Sequence, residues 1–295
     1  MILVVGSTGL LGSAISLKLV REGKAVAGLV RDVSSAKART LRDGGVTLFS
    51  GNLTQPHTLE VALAQVETVI CTATAMLSSG PSNTLDDVDK RGIQSLITAA
   101  EKSGVRQFIF VSYDTAGGIY PLAAAKRAAE QRLQGSKLNW TILQPAAFCE
   151  VWFSPVVGFD IIASRARIYG EGDKPLHYIA VDDVASVAVA CVNNAAAACK
   201  IFRFGGGTPA SQLDAVCLWE RAKGKNFSCE RVSLPELKAM QTATADPVTL
   251  SVVGLCELVA KGIEVDHAWQ AALGLEPLRV QDWITATMKK VRPPT

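Results

Sequence analysis

Charged side chains are scarce in this chain, where they make up 19% of 295 residues, and the net charge is only +3. The sequence has no dense run of lysine and arginine with interleaved aromatic residues. Such a run is typical of surfaces that neutralise nucleic-acid phosphates. We therefore expect that nucleic acid is not a partner of this protein.

Patterns typical of metal sites and disulfide frameworks are also missing. The seven cysteines include no C-x-x-C pair, and the three histidines have no H-x-x-x-H context. We therefore expect no bound metal, and thiols that pack as small apolar side chains in a reducing compartment.

No apolar run approaches the length of a membrane-spanning helix, so no membrane span is expected. The first strand is predicted from residue 2, which leaves no room for a targeting segment. This pattern predicts a cytoplasmic protein, or an organellar one if a presequence has been removed.

Apolar residues are abundant, at 48%, and their spacing alternates between that of buried strands and that of amphipathic helices. Six strands are predicted, over residues 2–5, 26–30, 46–49, 68–72, 107–112 and 140–144. Helices are predicted between them, near residues 11–22, 35–43, 58–66, 88–102 and 121–134. Because crossovers between parallel strands are right-handed, the expected fold is α/β with a doubly wound parallel (Rossmann) sheet.

The alternation is lost after Pro145. Further strands are expected near residues 167 and 177 and over 201–204, and helices are expected from residue 184 and over 212–222, 247–261 and 280–290. We predict a Rossmann domain over residues 1–150, to which a segment near 182–206 returns. A smaller, partly discontinuous C-terminal substrate domain is predicted over residues 151–181 and 207–295.

A glycine-rich turn follows the first strand and opens directly into the first helix. This order gathers backbone N–H groups at a helix N-terminus, as the binding of a dinucleotide pyrophosphate requires. The residues predicted to bind a cofactor here are consecutive: Gly6, Ser7, Thr8, Gly9, Leu10, Leu11 and Gly12. The alternative is a tight turn that serves only close packing of the helix on the strand.

The end of the second strand, Val30-Arg31-Asp32, indicates which form of the cofactor is bound. An acidic residue here typically binds the ribose 2′-hydroxyl of NAD, whereas a guanidinium suits the 2′-phosphate of NADP. Arg31 comes first and Lys37 could add positive charge, so we predict NADP(H) over NAD. In the alternative, Arg31 is a solvated strand-end residue and Asp32 is a helix cap.

Two further turns follow strands at the edge of the sheet where doubly wound folds bind ligands. The residues predicted to contact the cofactor there are Asn52, Leu53, Thr72, Ala73 and Thr74. Asn52 could meet the adenine, and the small residues at 72–74 would let a cofactor pass close to the backbone. Taken singly, each is equally consistent with an ordinary turn residue.

Lys126 falls on the apolar stripe of the helix predicted over residues 121–134. A buried amine should be paired or functional, because burial without a partner is costly, and the alternative is a side chain that reaches solvent at the edge of the stripe. We predict that Lys126 contacts the cofactor ribose and stabilises negative charge on a substrate. Three polar residues are predicted on the outer face of this helix: Arg127, Gln131 and Gln134.

Ser112 and Tyr120 are the other candidate catalytic residues. Ser112 closes the fifth strand, at the edge of the sheet where ligands bind. Tyr120 precedes Lys126 by six residues, and this spacing places it off the lysine face and in the turn before the helix.

Three aromatic residues crowd together after Pro145: Phe148, Trp152 and Phe153. We predict that they hold an apolar, aromatic or conjugated substrate. Alternatively, the same rings could pack the second domain against the first.

Over about residues 1–265, the chain resembles the NmrA-like, isoflavone-reductase-like family of atypical short-chain dehydrogenases/reductases. The likeness rests on these motifs: Gly6-x-x-Gly9-x-x-Gly12, Val30-Arg31, Gly51-Asn52-Leu53, Phe110-Val111-Ser112, Lys126 with Glu130, residues 139–145 and residues 178–185. The resemblance implies NADP(H) binding, with Lys126 in the catalytic-lysine position and with Pro145 and Phe148 on the nicotinamide side. Asn52 and Gln144 depart from the family pattern, which often has aspartate and arginine there.

The resemblance also implies an NADPH-dependent reductase that transfers hydride to a small apolar or conjugated acceptor, such as an aromatic, enone or quinone-like one. Family members without Y-x-x-x-K include reductases, but also proteins that only sense NADP(H) or assist photosynthetic assembly. A sensor or assembly role without turnover therefore stays open. The expected partners are a small-molecule substrate and, at most, a second copy in a homodimer.

Overall fold

Ten strands are present in the computed structural model, which describes residues 1–77 and 80–291. Their bounds are β1 (Ile2–Val5), β2 (Val26–Val30), β3 (Thr47–Ser50), β4 (Thr68–Cys71), β5 (Gln107–Val111), β6 (Asn139–Pro145), β7 (Phe159–Asp160), β8 (Arg165–Tyr169), β9 (Lys200–Phe204) and β10 (Ser228–Val232). Seven of them form one parallel sheet in the order β3-β2-β1-β4-β5-β6-β9. In a second, small sheet, β10 is parallel and β7 is antiparallel to β8.

Helices connect most of the strands and follow the last one. Their bounds are α1 (Leu10–Arg21), α2 (Ala36–Asp43), α3 (Leu59–Leu63), α4 (Ile93–Lys102), α5 (Pro121–Gln134), α6 (Cys149–Trp152), α7 (Val181–Ala190), α8 (Gln212–Lys223), α9 (Leu234–Thr242), α10 (Pro247–Lys261), α11 (Ala268–Leu273) and α12 (Val280–Val291). A π-helical segment, Asp86–Gly92, runs directly into α4.

The strand order reverses at β1, which pairs with β2 on one side and with β4 on the other. The predicted α/β fold with a doubly wound parallel sheet is therefore confirmed. In such sheets, ligands bind in the crevice outside the carboxyl ends of the strands, at the point of reversal. Here the turns that follow Val5 and Cys71 frame this crevice.

The central strands are buried on both faces, as a parallel sheet covered by helices requires. Every residue of β1, β2, β4 and β5 is buried. Because successive side chains of a strand point to opposite faces, Leu3 and Val5 belong to one apolar cluster, whereas Ile2 and Val4 belong to another. A third cluster, in the C-terminal part of the chain, is rich in aromatic rings and includes Trp219.

Two expectations about the second half of the chain are wrong. Within the described residues no strand forms near residue 177, because Leu176 and Ile179 make only isolated bridges, to Ala210 and Phe148. The helix expected from residue 184 begins at Val181 instead, so that two aspartates fall in its first turn, where they complement the helix dipole. The sequence patterns also missed β7, β10, α6, α9 and α11.

Four of the seven cysteines are buried, but Cys199, Cys217 and Cys229 are exposed, contrary to the expectation that the thiols pack as core side chains. No helix in the described part of the chain has the length and apolar composition that crossing a membrane would need.

Candidate cofactor site

The glycine turn between β1 and α1 is tightly packed. Gly6 has a φ of +84°, and a Cβ on it would lie 2.7 Å from Oγ1 of Thr72. A Cβ on Gly12 would overlap the carbonyl oxygen of Gly6. Glycine at both positions therefore allows α1 to start directly above the end of β1.

The N-terminus of α1 has the properties of an anion site. Gly9 precedes the helix without a side-chain cap, and the first turn contains no acidic residue. Gly9 and Leu10 are exposed, Leu10 to 57%. The amides at this end of a helix of 12 residues are thus open to a ligand, and the helix dipole favours negative charge there. This arrangement fits a diphosphate.

Two of the predicted turn residues point their side chains away from this edge. Ser7 is fully buried, and its hydroxyl donates to the carbonyl oxygen of Leu29 at 3.3 Å. Leu11 lies in the core with Ile15. A cofactor could therefore meet Ser7 and Leu11 only through their backbone, whereas Thr8 is partly exposed.

Arg31 is exposed directly after β2, and no residue in the described ranges forms a hydrogen bond or an ion pair with its side chain. The carboxylate of Asp32 is turned into its own loop, where it accepts hydrogen bonds from the Ser34 hydroxyl at 2.6 Å and the Ser34 amide at 2.8 Å. These bonds lower the pKa of Asp32 below its usual value. The guanidinium is therefore the group at this strand end that remains available to a ligand.

Further positive charge surrounds this position. Lys37 is exposed on the first turn of α2. Arg39 and Arg42, which the sequence patterns did not single out, donate to the carbonyl oxygens of Ser34 and Val33, and thereby lie over the same loop. The surface after β2 is accordingly suited to a phosphate rather than to a ribose hydroxyl alone.

The other predicted cofactor contacts stabilise the turns in which they lie. Asn52 accepts a hydrogen bond from the amide of Thr54 at 3.1 Å, and Leu53 is buried. Thr72 donates to the carbonyl oxygen of Val5 at 3.2 Å. Ala73 is buried, whereas Thr74 is exposed at the rim of the crevice.

Lys126 is buried and paired. Its Nζ lies 3.2 Å from Oδ1 of Asp89 and 3.2 Å from the carbonyl oxygen of Ala73, and the two charged side chains are 6% and 0% exposed. The ammonium also lies 5.1 Å from the ring centroid of Phe110. The second carboxylate oxygen of Asp89 accepts a hydrogen bond from the Ala75 amide at 2.8 Å. This ion pair holds the amine at the carboxyl edge of β4 and β5.

Asp89 was not identified from the sequence. It lies in the π-helical segment before α4, where the usual helical spacing does not apply. The only sequence signal for Asp89 was indirect: a lysine on an apolar stripe needs a buried carboxylate as its partner.

Arg127 does not lie on the outer face of α5 as predicted, because its side chain is only 32% exposed. Its Nη2 donates to the carbonyl oxygen of Tyr113 at 2.5 Å, to Glu130 at 2.6 Å and to the Ser112 hydroxyl at 3.2 Å. The predicted outward positions of Gln131 and Gln134 are confirmed.

Tyr120 directly precedes α5, so its predicted position in the turn before the helix is confirmed. Its ring packs against Gly254 of α10, and burial raises the pKa of its hydroxyl. The hydroxyl of Tyr113 is buried close to that of Tyr120, with which it interacts. Tyr120 therefore does not share the helix face of Lys126.

The three aromatic residues predicted to hold a substrate enter different environments. Phe148 packs against the core that contains Ile2, and Trp152 meets the ring of Tyr169 edge-on at 6.4 Å. Phe153 is buried among four rings with centroid distances of 4.8 to 5.8 Å: Phe159, Tyr178, Trp219 and Trp283. Pro145 is buried at the end of β6. These contacts favour the packing alternative for Phe153.

We expect Phe153→Ala to lower the free energy of unfolding by about 3–5 kcal/mol, because the substitution leaves a cavity between aromatic rings. Chemical denaturation followed by tryptophan fluorescence would measure this loss. Ile162→Ala is a matched control in the same region, since Ile162 is 89% exposed. Unchanged stability together with weakened acceptor binding would instead support a substrate contact.

These features define a nucleotide-binding Rossmann fold, and comparison with known proteins identifies its family. A profile of the NAD(P)H-binding family matches residues 6–195, a stretch that includes the β1–α1 turn and Lys126. The chain belongs to this NAD(P)H-binding family and to the atypical short-chain dehydrogenases/reductases, as its motifs predicted.

Its relatives have different roles. The photosystem II assembly factor Ycf39 of a Synechocystis species is 32% identical over 245 residues, which are 82% of this chain and 74% of that protein. The NAD(P)H azoreductase of Xenophilus azovorans is 30% identical over 257 residues, which are 85% of this chain and 84% of the relative. Among solved structures, a Citrobacter triphenylmethane reductase complexed with NADP(H) superimposes with a TM-score of 0.78 at 20% identity, covering 98% of this chain and all of that one.

Proposed function

We propose that the protein is an NADPH-dependent reductase that transfers hydride to a neutral, conjugated acceptor. The observation that carries the proposal is the pairing of an open α1 N-terminus with a buried ammonium at the carboxyl edge of β4 and β5. The first would bind the diphosphate of the cofactor. The buried ammonium would lie beside the nicotinamide half of the cofactor, at the carboxyl ends of the strands of the doubly wound sheet.

Each group at this edge has a distinct task. The amides from Leu10 onward would bind the diphosphate of NADPH, and the Arg31 guanidinium would bind its 2′-phosphate. Lys126 would orient the nicotinamide ribose and oppose the negative charge that develops on the acceptor. When bound, the cofactor supplies the hydride, and the protein supplies orientation and electrostatics.

The relatives indicate a panel of acceptors for the test. Purified protein with NADPH would be mixed with an azo dye, a triphenylmethane dye, a naphthoquinone and an enone, and the loss of the 340 nm absorbance of NADPH would be followed. We expect oxidation of NADPH with at least one acceptor. Tight NADPH binding without turnover of any acceptor would reject the reductase.

An assembly or sensor role is the second candidate, and two observations favour it. A relative at 32% identity is an assembly factor, and the Lys126 ammonium already has the Asp89 carboxylate and the Ala73 carbonyl as partners. In that case, bound NADP(H) would stabilise the fold and change its affinity for a protein partner. A rise in melting temperature with NADPH, together with the absence of turnover, would support this role.

The Arg31 guanidinium is expected to select NADPH over NADH. Arg31→Ala should weaken NADPH binding by about tenfold to a hundredfold, since a hydrogen-bonded charge pair contributes about 1.5–3 kcal/mol. NADH binding should be unaffected. Titration calorimetry with both nucleotides would measure the two affinities, and Arg165→Ala, at an exposed arginine of β8, is the control. An equal loss for both nucleotides would contradict the assignment.

A further inference from the structure

Arg127 presents a guanidinium whose position is fixed by its neighbours. Its Nη2 is anchored to Ser112 at the end of β5, to the Tyr113 carbonyl and to Glu130. Glu130 in turn accepts a hydrogen bond at 3.0 Å from Gln144 in β6. The side chain therefore spans the carboxyl ends of β5 and β6, on the side of the sheet edge where the acceptor of a doubly wound reductase would lie.

Part of this guanidinium has no partner. Its Nε is buried without a hydrogen bond within the described residues, and its Nη1 forms none there. Buried polar groups of native proteins are normally satisfied, so unpaired donors at a ligand edge indicate that a ligand atom completes them.

Two neighbouring positions of α5 do not supply a donor that binds the acceptor oxygen. The position four residues before Lys126 is occupied by Leu122, which is buried and has no proton to donate. The Lys126 ammonium is held by Asp89 and Ala73, so it would oppose the developing charge from a distance and would not bind the oxygen itself. We propose that Arg127 is a catalytic residue that binds the oxygen of the acceptor on which negative charge develops during reduction.

The charges of the neighbouring pairs define the class of acceptor, and this step rests on the proposed function. Arg127 is neutralised by Glu130 and Lys126 by Asp89, so the edge has hydrogen-bond donors without excess positive charge. Such a site stabilises an oxyanion that forms in the reaction, but it does not attract a substrate that is already anionic. The acceptor is therefore a neutral conjugated carbonyl or quinone rather than a carboxylate or a phosphate ester.

The reaction balances with groups already named. Bound NADPH would supply the hydride and become NADP⁺, and a C–H bond would form at the β-carbon of a neutral enone, which would be reduced. The electron pair displaced from the π system moves to the carbonyl oxygen, where Arg127 stabilises it until water protonates the resulting enolate. A quinone would accept the hydride and a proton in the same way.

The test replaces both members of the ion pair, so that no buried carboxylate is left alone. Arg127→Gln with Glu130→Gln is expected to lower kcat by about 100-fold or more, as the loss of an oxyanion donor does, while the NADPH dissociation constant stays unchanged. Arg127→Lys keeps the charge but not the planar guanidinium with its several N–H donors. This variant should retain the fold and lose most of kcat. Added guanidinium should restore part of the rate of the paired glutamine variant.

A matched control is available on the same helix. Arg132 is 31% exposed and pairs with Glu101 near the other end of α5. Arg132→Gln with Glu101→Gln removes a similar ion pair away from the β5–β6 edge and should leave kcat unchanged. An equal fall of kcat in this control, or an unchanged kcat in the Arg127 variants, would overturn the assignment.

A second measurement does not depend on turnover. p-Nitrophenol added to the NADP⁺-loaded protein should bind as the coloured phenolate at a pH where most of the free phenol is neutral, and this enrichment should be lost in the Arg127 variants. Enrichment of the phenolate without turnover of any acceptor would support oxygen binding by Arg127 and would reject only the reductase activity. Failure of the wild-type protein to enrich the phenolate would reject the oxygen site itself.

Discussion

Lys126→Ala is expected to abolish reductase turnover and to lower the free energy of unfolding by about 3–5 kcal/mol, the usual result of removing one partner of a buried ion pair. Asp89 is 0% exposed and would be left without its cation. NADPH oxidation and urea denaturation would measure the two effects separately. Wild-type stability in this variant would mean that water replaces the ammonium at Asp89.

A double substitution distinguishes the two tasks of the lysine. Lys126→Met with Asp89→Asn removes both charges and keeps side chains of similar volume, so stability should largely return. Turnover should not return, because the ammonium that orients the nicotinamide ribose and opposes charge on the acceptor is gone. Recovery of turnover in the double variant would show that Lys126 acts only through packing.

Gly12→Ala is expected to eliminate detectable NADPH binding. A methyl group there would overlap the carbonyl oxygen of Gly6, which would push α1 away from the turn and move the amides that the diphosphate needs. The same overlap should cost about 1–3 kcal/mol of stability. Titration calorimetry and thermal unfolding would measure both losses.

Gly135→Ala is the control for this substitution. Gly135 follows α5 with a negative φ, and the nearest atom to an added Cβ would be 3.5 Å away, which is ordinary contact. This variant should fold and bind NADPH normally. NADPH binding by Gly12→Ala at wild-type affinity would show that the cofactor does not use the β1–α1 turn.

The sequence predicted the parts of the fold whose signals are local. The glycine turn was identifiable from the spacing of its glycines, the buried strands from short apolar runs, and α5 from its apolar stripe. The bounds predicted for α5 match the structure. β10 and α9 were missed for the opposite reason: most of their residues are exposed, so no apolar period marks them.

The candidate site was only half predictable. Lys126 could be found, but Asp89 lies on a separate segment with an irregular helical period. Arg127 was placed outward because helix geometry alone puts it beside the polar residues of α5. Its actual direction is set by Ser112 and Glu130, which fold against it from the end of β5 and from the next helical turn.

The position of β9 in the main sheet has a consequence for synthesis. β6 pairs with β9 from Thr141 to Pro145, yet β9 begins only at Lys200, after the excursion that contains α6 and α7. At about 5–20 residues per second, a ribosome needs several seconds to deliver that segment. During this interval the nascent chain would present β6 as an open, apolar edge able to join strands of other chains. Early association with a chaperone is therefore expected, and truncation just before Lys200 should yield insoluble material.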